Sequence, residues 1–180
     1  MPEGVNNLYQ TLSPIRTRSA TVDDAPLVQE LYEATPGYFE IISIPVPTVA
    51  EVRTDLATAI SDPRRHVELV LLDPSESEPG LHVDPVSGAA VVGYLDYKLD
   101  YPAAGDATVN LLLVRAGMQS HGVGSACVKD LERRLNGRCK RMLASIYGEN
   151  PRARSFWESH GYRFAIDARP LLEWYGKSLA

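Results

Sequence analysis

The succession of strand-like and helix-like stretches predicts an α+β domain. Its mostly antiparallel, twisted sheet has about seven strands and is flanked by about four helices. Three observations carry this. Hydrophobic periodicity gives the order β-α-α-β-β-β-α-β-α-β-β. The three consecutive strands in the middle have no helix between them, and strands joined so closely run antiparallel, because parallel neighbours need a long crossover. The length, 180 residues with 44% apolar, suits one domain with a sizeable core and contains no repeat.

No periodicity precedes "IRTRSA" (15–20), so residues 1–14 are expected to be a flexible arm and 15–180 a single domain. "IRTRSA" alternates as a short strand. In "TVDDAPLVQELYEAT", Thr21 and Asp24 have capping-box spacing, and Leu27, Val28, Leu31 and Tyr32 form one apolar face. Pro36-Gly37 ends that helix. A second capping box, Thr48 with Glu51, opens "VAEVRTDLATAI", whose Val49, Val52, Leu56 and Ile60 recur at helical spacing. "HVELVLLD" is the next strand. "PSESEPGLHVDPVSG" (74–88), rich in Pro, Ser, Gly and acids, is expected to be a mobile hairpin loop inserted at the surface. "AAVVGYLDYKLD" and "ATVNLLLV" are strands about the turn "YPAAGD". On the first of these, Asp96 shares a face with Tyr94, Lys98 and Asp100, polar company that points it to solvent. A helix from Val123 to Leu135, a strand "KRMLASIY", a helix "PRARSFWESH" and two strands, "YRFAID" and "PLLEWYGKSL", complete the chain.

The net charge of -5 and the lack of any Lys/Arg block argue against nucleic acid and membrane surfaces as partners, since both require a basic footprint. A mildly acidic protein suits a cationic small molecule instead. Two cysteines, Cys127 and Cys139, form neither a zinc spacing nor a disulfide framework, and no metal site is expected. With no apolar stretch approaching a membrane span and no leader pattern, a reduced, cytoplasmic location is expected.

The informative stretch is "LLLVRAGMQSHGVGSACVKDLERRL" (111–135). An apolar strand stops, Gly122 and Gly124 bracket a valine, and a helix begins with Val123, Cys127, Leu131 and Leu135 on one face. Cys127 belongs to that face and reads as core. Asn136-Gly137 closes the helix. A helix N-terminus leaves backbone N–H groups free and carries a partial positive charge. Glycine there lets an anion approach the backbone, the makings of a phosphate site. Two known phosphate loops do not fit. Gly117 and Gly122 have Walker spacing, but Val123-Gly124 stand where Lys-Ser/Thr is needed. The dinucleotide fingerprint wants a third glycine where Cys127 stands, after a tight turn.

"QSHGVG", with Gln119, Gly122 and Gly124, resembles the Gln/Arg-x-x-Gly-x-Gly/Ala pyrophosphate loop of the GNAT superfamily of acyl-CoA-dependent N-acyltransferases. Val114 ends the preceding strand, where that family also has a valine. "NPRARSFWESHGYRF" resembles the family's second signature through Asn150, Ala153, Phe156, Trp157, Gly161 and Tyr162. The resemblance covers roughly residues 15–180 and implies a mixed sheet with a V-shaped splay between the fourth and fifth strands. It implies acetyl-CoA as cosubstrate, with Leu113 and Val114 offering backbone groups to the pantetheine. Backbone N–H groups of Gln119, Ser120, His121, Gly122, Val123, Gly124 and Ser125 would hold the pyrophosphate. Asn150, Ala153, Phe156 and Trp157 would lie along the pantetheine arm. Asn150 and Pro151 also suit the start of a helix, and Gly161 its end. Arg115, just outside the strand, could screen the phosphates or be a solvated arginine, and Glu149 and His160 read as surface residues. A homodimer is a family-level expectation.

The implied reaction is direct acyl transfer, usually acetyl, to a primary amine of a small molecule or peptide. A base, often acting through water, must take a proton from the amine, and an acid should protonate the leaving thiolate. Backbone N–H groups near the splay would stabilise the developing oxyanion. Where relatives often have a tyrosine acid this chain has Trp157, so either the thiolate leaves without a dedicated acid or another residue serves; Tyr147 is the first substitute, against the plain reading of a tyrosine bridging core and solvent. Asn110 stands roughly where relatives often keep a glutamate; an asparagine orients a water or is a satisfied buried amide. Tyr38, Phe39 and Glu40 fall in the segment that walls the acceptor pocket in this family. The competing reading is a GNAT-fold acyl-CoA binder without turnover, serving as a sensor or partner module.

Overall fold

The computed structural model describes residues 14–73, 80–169 and 172–179. The expected arm over residues 1–13 and the first half of the insertion, 74–79, lie outside the described residues. Seven strands form one sheet: β1 (Arg16–Ser19), β2 (Arg65–Leu72), β3 (Ala90–Leu99), β4 (Asp106–Val114), β5 (Arg141–Tyr147), β6 (Arg163–Arg169) and β7 (Leu172–Ser178). Their spatial order is β1-β2-β3-β4-β5-β7-β6. Every neighbouring pair is antiparallel except β4 and β5, which run parallel. That exception follows from the helix between them, which returns the chain to the end of the sheet where β4 began.

Two apolar clusters fill the two faces. On one, α1 (Ala25–Glu33) and α3 (Val49–Ser61) bury Val28, Leu31, Val52 and Leu56 against Leu69, Leu71 and Val91. On the other, α4 (Val123–Leu135) and α5 (Pro151–Ser159) bury Val123, Cys127, Leu131, Leu135 and Trp157 against Val70, Leu95, Val109 and Met142. Cys127 is a core residue, 2% exposed, and burial pushes its thiol up to about 12.

Both capping boxes form: the Thr21 N–H donates to Asp24 at 2.8 Å, and the Thr48 N–H to Glu51 at 2.8 Å. The apolar stripe of α3 differs from the expected one. Val52, Leu56 and Ala59 are buried, whereas Val49 and Ile60 are 38% and 47% exposed. A strict four-residue step drifts around a helix of 3.6 residues per turn, so Ala59 rather than Ile60 completes the face. A fifth helix, α2 (Pro36–Ile42), occupies the segment expected to be irregular. Pro36 does end α1, but it also stands at the first position of α2, where its missing N–H costs nothing.

The described half of the 74–88 insertion is tied down rather than free. Asp84 is 0% exposed and accepts from Arg18 Nη2 at 2.6 Å, Arg18 Nε at 2.9 Å and the Ser87 hydroxyl at 2.6 Å. The described part of the insertion lies at the surface, as expected, except at Asp84, where a carboxylate drawn from a polar stretch meets a guanidinium on β1. Arg18 in turn bonds Asp24 at 2.7 and 2.8 Å, linking β1, the start of α1 and the insertion.

Candidate functional site

The site begins at an irregularity in β4. Opposite β3, Asp96 pairs with Leu111 and Tyr97 with Val109, so Asn110 is an extra residue, a β-bulge. The bulge reverses the alternation of the strand. Ala107 and Val109 face the α4 side before it, and Leu112 and Val114 face that side after it. Pairing with β5 stops there too, the last partners being Val109 and Ala144. Beyond them β4 stays joined to β3 as far as Val114, and β5 to β7 as far as Tyr147. The expected splay is present: two strand edges diverge, each held by its other neighbour.

Beyond β4, a short 3-10 turn, Ala116–Met118, leads into the loop before α4. Ser120 and Gly122 both take left-handed backbone, φ 64° and 86°. The first helical bond runs from the Ala126 N–H to the Gly122 carbonyl, 2.9 Å. Among the described residues no acceptor reaches the amides of Ser120 through Ser125. Successive free amides in such a turn at a helix N-terminus form an anion-binding concavity. No side chain caps this end of α4. Gln119 donates its side-chain amide to the Val114 carbonyl at 2.8 Å, clamping the strand end to the loop, and the exposed His121 ring bonds the Gln119 carbonyl at 2.8 Å. Arg115 is not solvated, contrary to its sequence reading. Its side chain is 12% exposed and ion-paired with Glu30 of α1, because α1 packs across the end of β4.

Helix α5 lies beside this loop. The Asn150 side chain accepts from the Ala153 N–H at 3.0 Å, the cap expected of it. Ala153 and Phe156 are partly buried, and a Cβ on Gly124 would sit 3.2 Å from the Phe156 ring, so glycine at 124 lets the two helices meet. Trp157 is 5% exposed and packs on Tyr162 and Phe156, with centroids 4.8 and 5.3 Å away. His160, expected at the surface, is partly buried with its ring 4.6 Å from Phe156. Glu149 is exposed.

On the other side of the splay a cavity of about 350 Å³ opens between β3, β4, β5 and the helices α1, α2 and α3. Tyr147 and Asn110 both line it, as do Tyr38 and Ile42 of α2. Phe39 is buried behind Tyr38, with ring centroids 5.2 Å apart, and Glu40 is exposed. The sequence reading missed Tyr32, Tyr94, Arg65, Asp55 and above all Asp96. Asp96, expected in solvent, is 4% exposed and paired with Arg65, Nη2 to Oδ2 at 2.5 Å. Its Oδ1 also accepts from Asn110 Nδ2 at 2.9 Å. The polar face of β3 is not uniformly wet: Tyr94 and Asp96 lie under the helices, while Lys98 and Asp100 run out from beneath them. Tyr32 of α1 packs against Tyr94 with ring centroids 6.1 Å apart, a contact distant in the chain that covers this part of the face.

Burial pushes the phenols of Tyr32, Tyr38, Tyr94 and Tyr147 above the ordinary tyrosine range, and the Asp96 charge pushes each of them further. The cavity therefore presents neutral hydroxyls, one paired carboxylate and, at its rim, the exposed Asp55. A larger open cleft, about 470 Å³, lies at the far end of α4 beside Lys129, Arg133 and Lys177, away from the free amides. Among the described residues no group of three or more His, Cys, Asp or Glu could hold a metal, and no helix is long and apolar enough to cross a membrane.

Residues 49–162 match the model of the acetyltransferase (GNAT) family. An acetyltransferase from Thermus thermophilus superposes with a TM-score of 0.81 and 35% identity, over 93% of this chain and 98% of that one. A spermidine N-acetyltransferase from Vibrio cholerae in complex with CoA and spermine gives 0.68 at 11% identity, over 92% and 96%. An aminoglycoside acetyltransferase in complex with coenzyme A gives 0.69 at 16%, over 91% and 94%. The last two show likeness of fold alone. No curated protein matches. The family match over most of the chain and the likeness at 35% identity place it: the chain belongs to the GNAT acetyltransferase family.

Proposed function

We propose that this chain transfers an acetyl group from acetyl-CoA directly to a primary amine of a small molecule or peptide. The observation that carries the reading is the row of free amides at the start of α4, placed where β4 leaves β5. The chemistry of that row fits a diphosphate: consecutive donors, a helix N-terminus, and no acidic side chain among residues 119–125. Ser120 to Ser125 hold the anion through their N–H groups. The open edge of β4 at Leu113 and Val114 and the flank of α5 at Asn150, Ala153 and Phe156 guide the arm toward the splay. Acetyl-CoA supplies the acyl group as a thioester.

On the acceptor side, Tyr38 and the other tyrosines line a pocket suited to a cationic amine, and Asp55 adds a negative charge at its rim. Amine and thioester yield amide and thiol: a C–N bond forms, the C–S bond breaks, the amine loses one proton to solvent and the sulfur gains one. Tyr147, protonated and lining the pocket at the end of β5, is the donor we assign to the sulfur, and solvent returns its proton. Trp157, buried and without a transferable proton, is not in this role.

The competing reading, a CoA-binding module without turnover, draws on the same observation about Trp157. A thiol-release assay with acetyl-CoA and a broad amine panel separates the two. Release of CoA dependent on one class of amine supports the enzyme; micromolar acetyl-CoA binding with no release across the panel overturns it.

A further inference from the structure

The most firmly held polar group in the acceptor pocket belongs to β3, not β4. Both oxygens of Asp96 are engaged: Oδ2 with Arg65 Nη2 at 2.5 Å, Oδ1 with Arg65 Nε at 3.1 Å and Asn110 Nδ2 at 2.9 Å. An ionised carboxylate only accepts hydrogen bonds, so Asn110 must turn its NH₂ toward Asp96. The amide is planar, and its Oδ1 is then directed away from Asp96. Among the described residues no donor reaches that oxygen, and Asn110 lines the pocket. As the bulged residue of β4, Asn110 also stands where the strand opens toward β5.

We infer that Asp96 is a positioning residue for the acetyl transfer: it locks the Asn110 amide so that Asn110 Oδ1 accepts an N–H of the attacking amine. The inference rests on the acetyltransferase reading and deepens it. Holding one N–H at a fixed oxygen aims the nitrogen lone pair and removes the rotational freedom of a small ligand, which is where orientation lowers a barrier. No proton changes hands at Asn110 or Asp96. Asp96 is not the base, because protonating it would dissolve a charge-assisted pair with Arg65 in a site 4% exposed. Arg65 holds the carboxylate in place, and its own side chain, 32% exposed, stays partly in water. Asn110 contributes an oxygen that an aspartate would supply too, but without a second charge beside Asp96.

The test is a double-mutant cycle of Asp96→Asn, Asn110→Ala and the pair, read by steady-state kinetics with the best amine of the panel. A residue that acts through another gives non-additive losses. Each single change should lower kcat about tenfold, leave acetyl-CoA affinity within about twofold, and the double variant should be no worse than Asn110→Ala alone. A purely structural role for Asp96 would instead weaken both substrates together, whatever the change in melting temperature. Because Asp96→Asn leaves Arg65 unpaired, Asp96→Asn with Arg65→Gln is measured beside it and should behave alike. A second readout needs no turnover: ¹⁵N NMR of the Asn110 side-chain NH₂ should show slowed hydrogen exchange in the parent and fast exchange in Asp96→Asn. Losses that multiply to about a hundredfold, an unchanged kcat in Asp96→Asn, or an Asn110 NH₂ indifferent to it each overturn the assignment. A parent chain that binds acetyl-CoA yet acetylates no amine overturns the acetyltransferase reading and this role with it; turnover with additive losses overturns only the role.

Discussion

Gly148 offers a perturbation aimed at the α2 wall of the acceptor pocket. It follows β5 directly, takes left-handed backbone at φ 65°, and a Cβ there would lie 2.8 Å from the Ile41 carbonyl oxygen of α2. Ordinary contact begins at 3.4 Å, so Gly148→Ala is about 0.6 Å short of room against backbone rather than a flexible side chain. Left-handed backbone costs alanine about 1–2 kcal/mol, and displacing the end of α2 adds to it. A total near 2–3 kcal/mol should lower the melting temperature of a chain this size by about 5–10 °C. The shift is not spread evenly. α2 carries Tyr38 and Ile42 into the pocket, whereas the free amides belong to the loop between β4 and α4. A displacement of this order at a positioned group costs about tenfold in rate. Steady-state kinetics should therefore show kcat/KM for the amine down about tenfold, while acetyl-CoA binding by calorimetry is unchanged. If the melting temperature falls but amine and acetyl-CoA are weakened equally, or neither is weakened, α2 does not form the acceptor wall.

Gly124→Leu should reduce acetyl-CoA affinity by about a hundredfold or more, since even a Cβ there meets Phe156 at 3.2 Å and a longer side chain must swing toward the amides; calorimetry reads it. Tyr147→Phe should lower kcat by about 10²-fold. Because burial and Asp96 raise the parent phenol, the parent pH–kcat profile should rise with amine deprotonation and show no descending limb below about pH 10; a limb near neutrality would exclude Tyr147 as the acid. Asp84→Asn should destabilise the fold by about 2–3 kcal/mol near neutrality by thermal melting. Burial alone would raise the Asp84 carboxyl, but the bonds from Arg18 and Ser87 hold it down at about 2. A carboxylate depressed in the folded state stabilises above its unfolded value and stops doing so as pH falls through the folded one. The gap between parent and variant should thus be full above about pH 4 and close toward pH 2.

What the sequence discloses here is local, and what it conceals is not. Gly122, Gly124 and the stripe Val123–Cys127–Leu131–Leu135 announce an uncapped helix after a strand because each signal lies within a few residues of the next. Asn150 and Pro151 announce α5 in the same way. Asp96 could not be judged like this. Its burial depends on α1 and α2 from some sixty residues upstream, and its counter-ion, Arg65, lies on the neighbouring strand diagonally from it, beyond the direct partner Val67. Arg115 was misjudged for the same reason, its partner Glu30 being far away in the chain. Seven residues of α2 are too few for helical periodicity to emerge. The bulge at Asn110 is masked by the run Leu111-Leu112-Leu113: with apolar residues at consecutive positions, a reversal of the alternation leaves no trace in the polarity pattern.

That one inserted residue accounts for most of what makes the site possible. A regular β4 would keep alternating, and Leu112 and Val114 would turn away from the α4 cluster that they now help to fill. With the insertion, Asn110 and Leu111 both contribute to the acceptor side, a polar and an apolar surface at adjacent positions that no unbroken strand offers to one cavity. The same irregularity coincides with the last bridge to β5, so the strands part where the amide of Asn110 emerges. The opening needs support from outside, because an unpaired strand edge invites collapse. β3 holds β4 to Val114, Gln119 ties that end to the loop, and Asp96 fastens the bulge itself from β3 through Asn110. The carboxylate that aims the asparagine therefore also keeps the bulge in register. A chain with an apolar residue at 96 would have no polar partner for the bulged amide, and the desolvated Asn110 would favour a regular, fully paired strand.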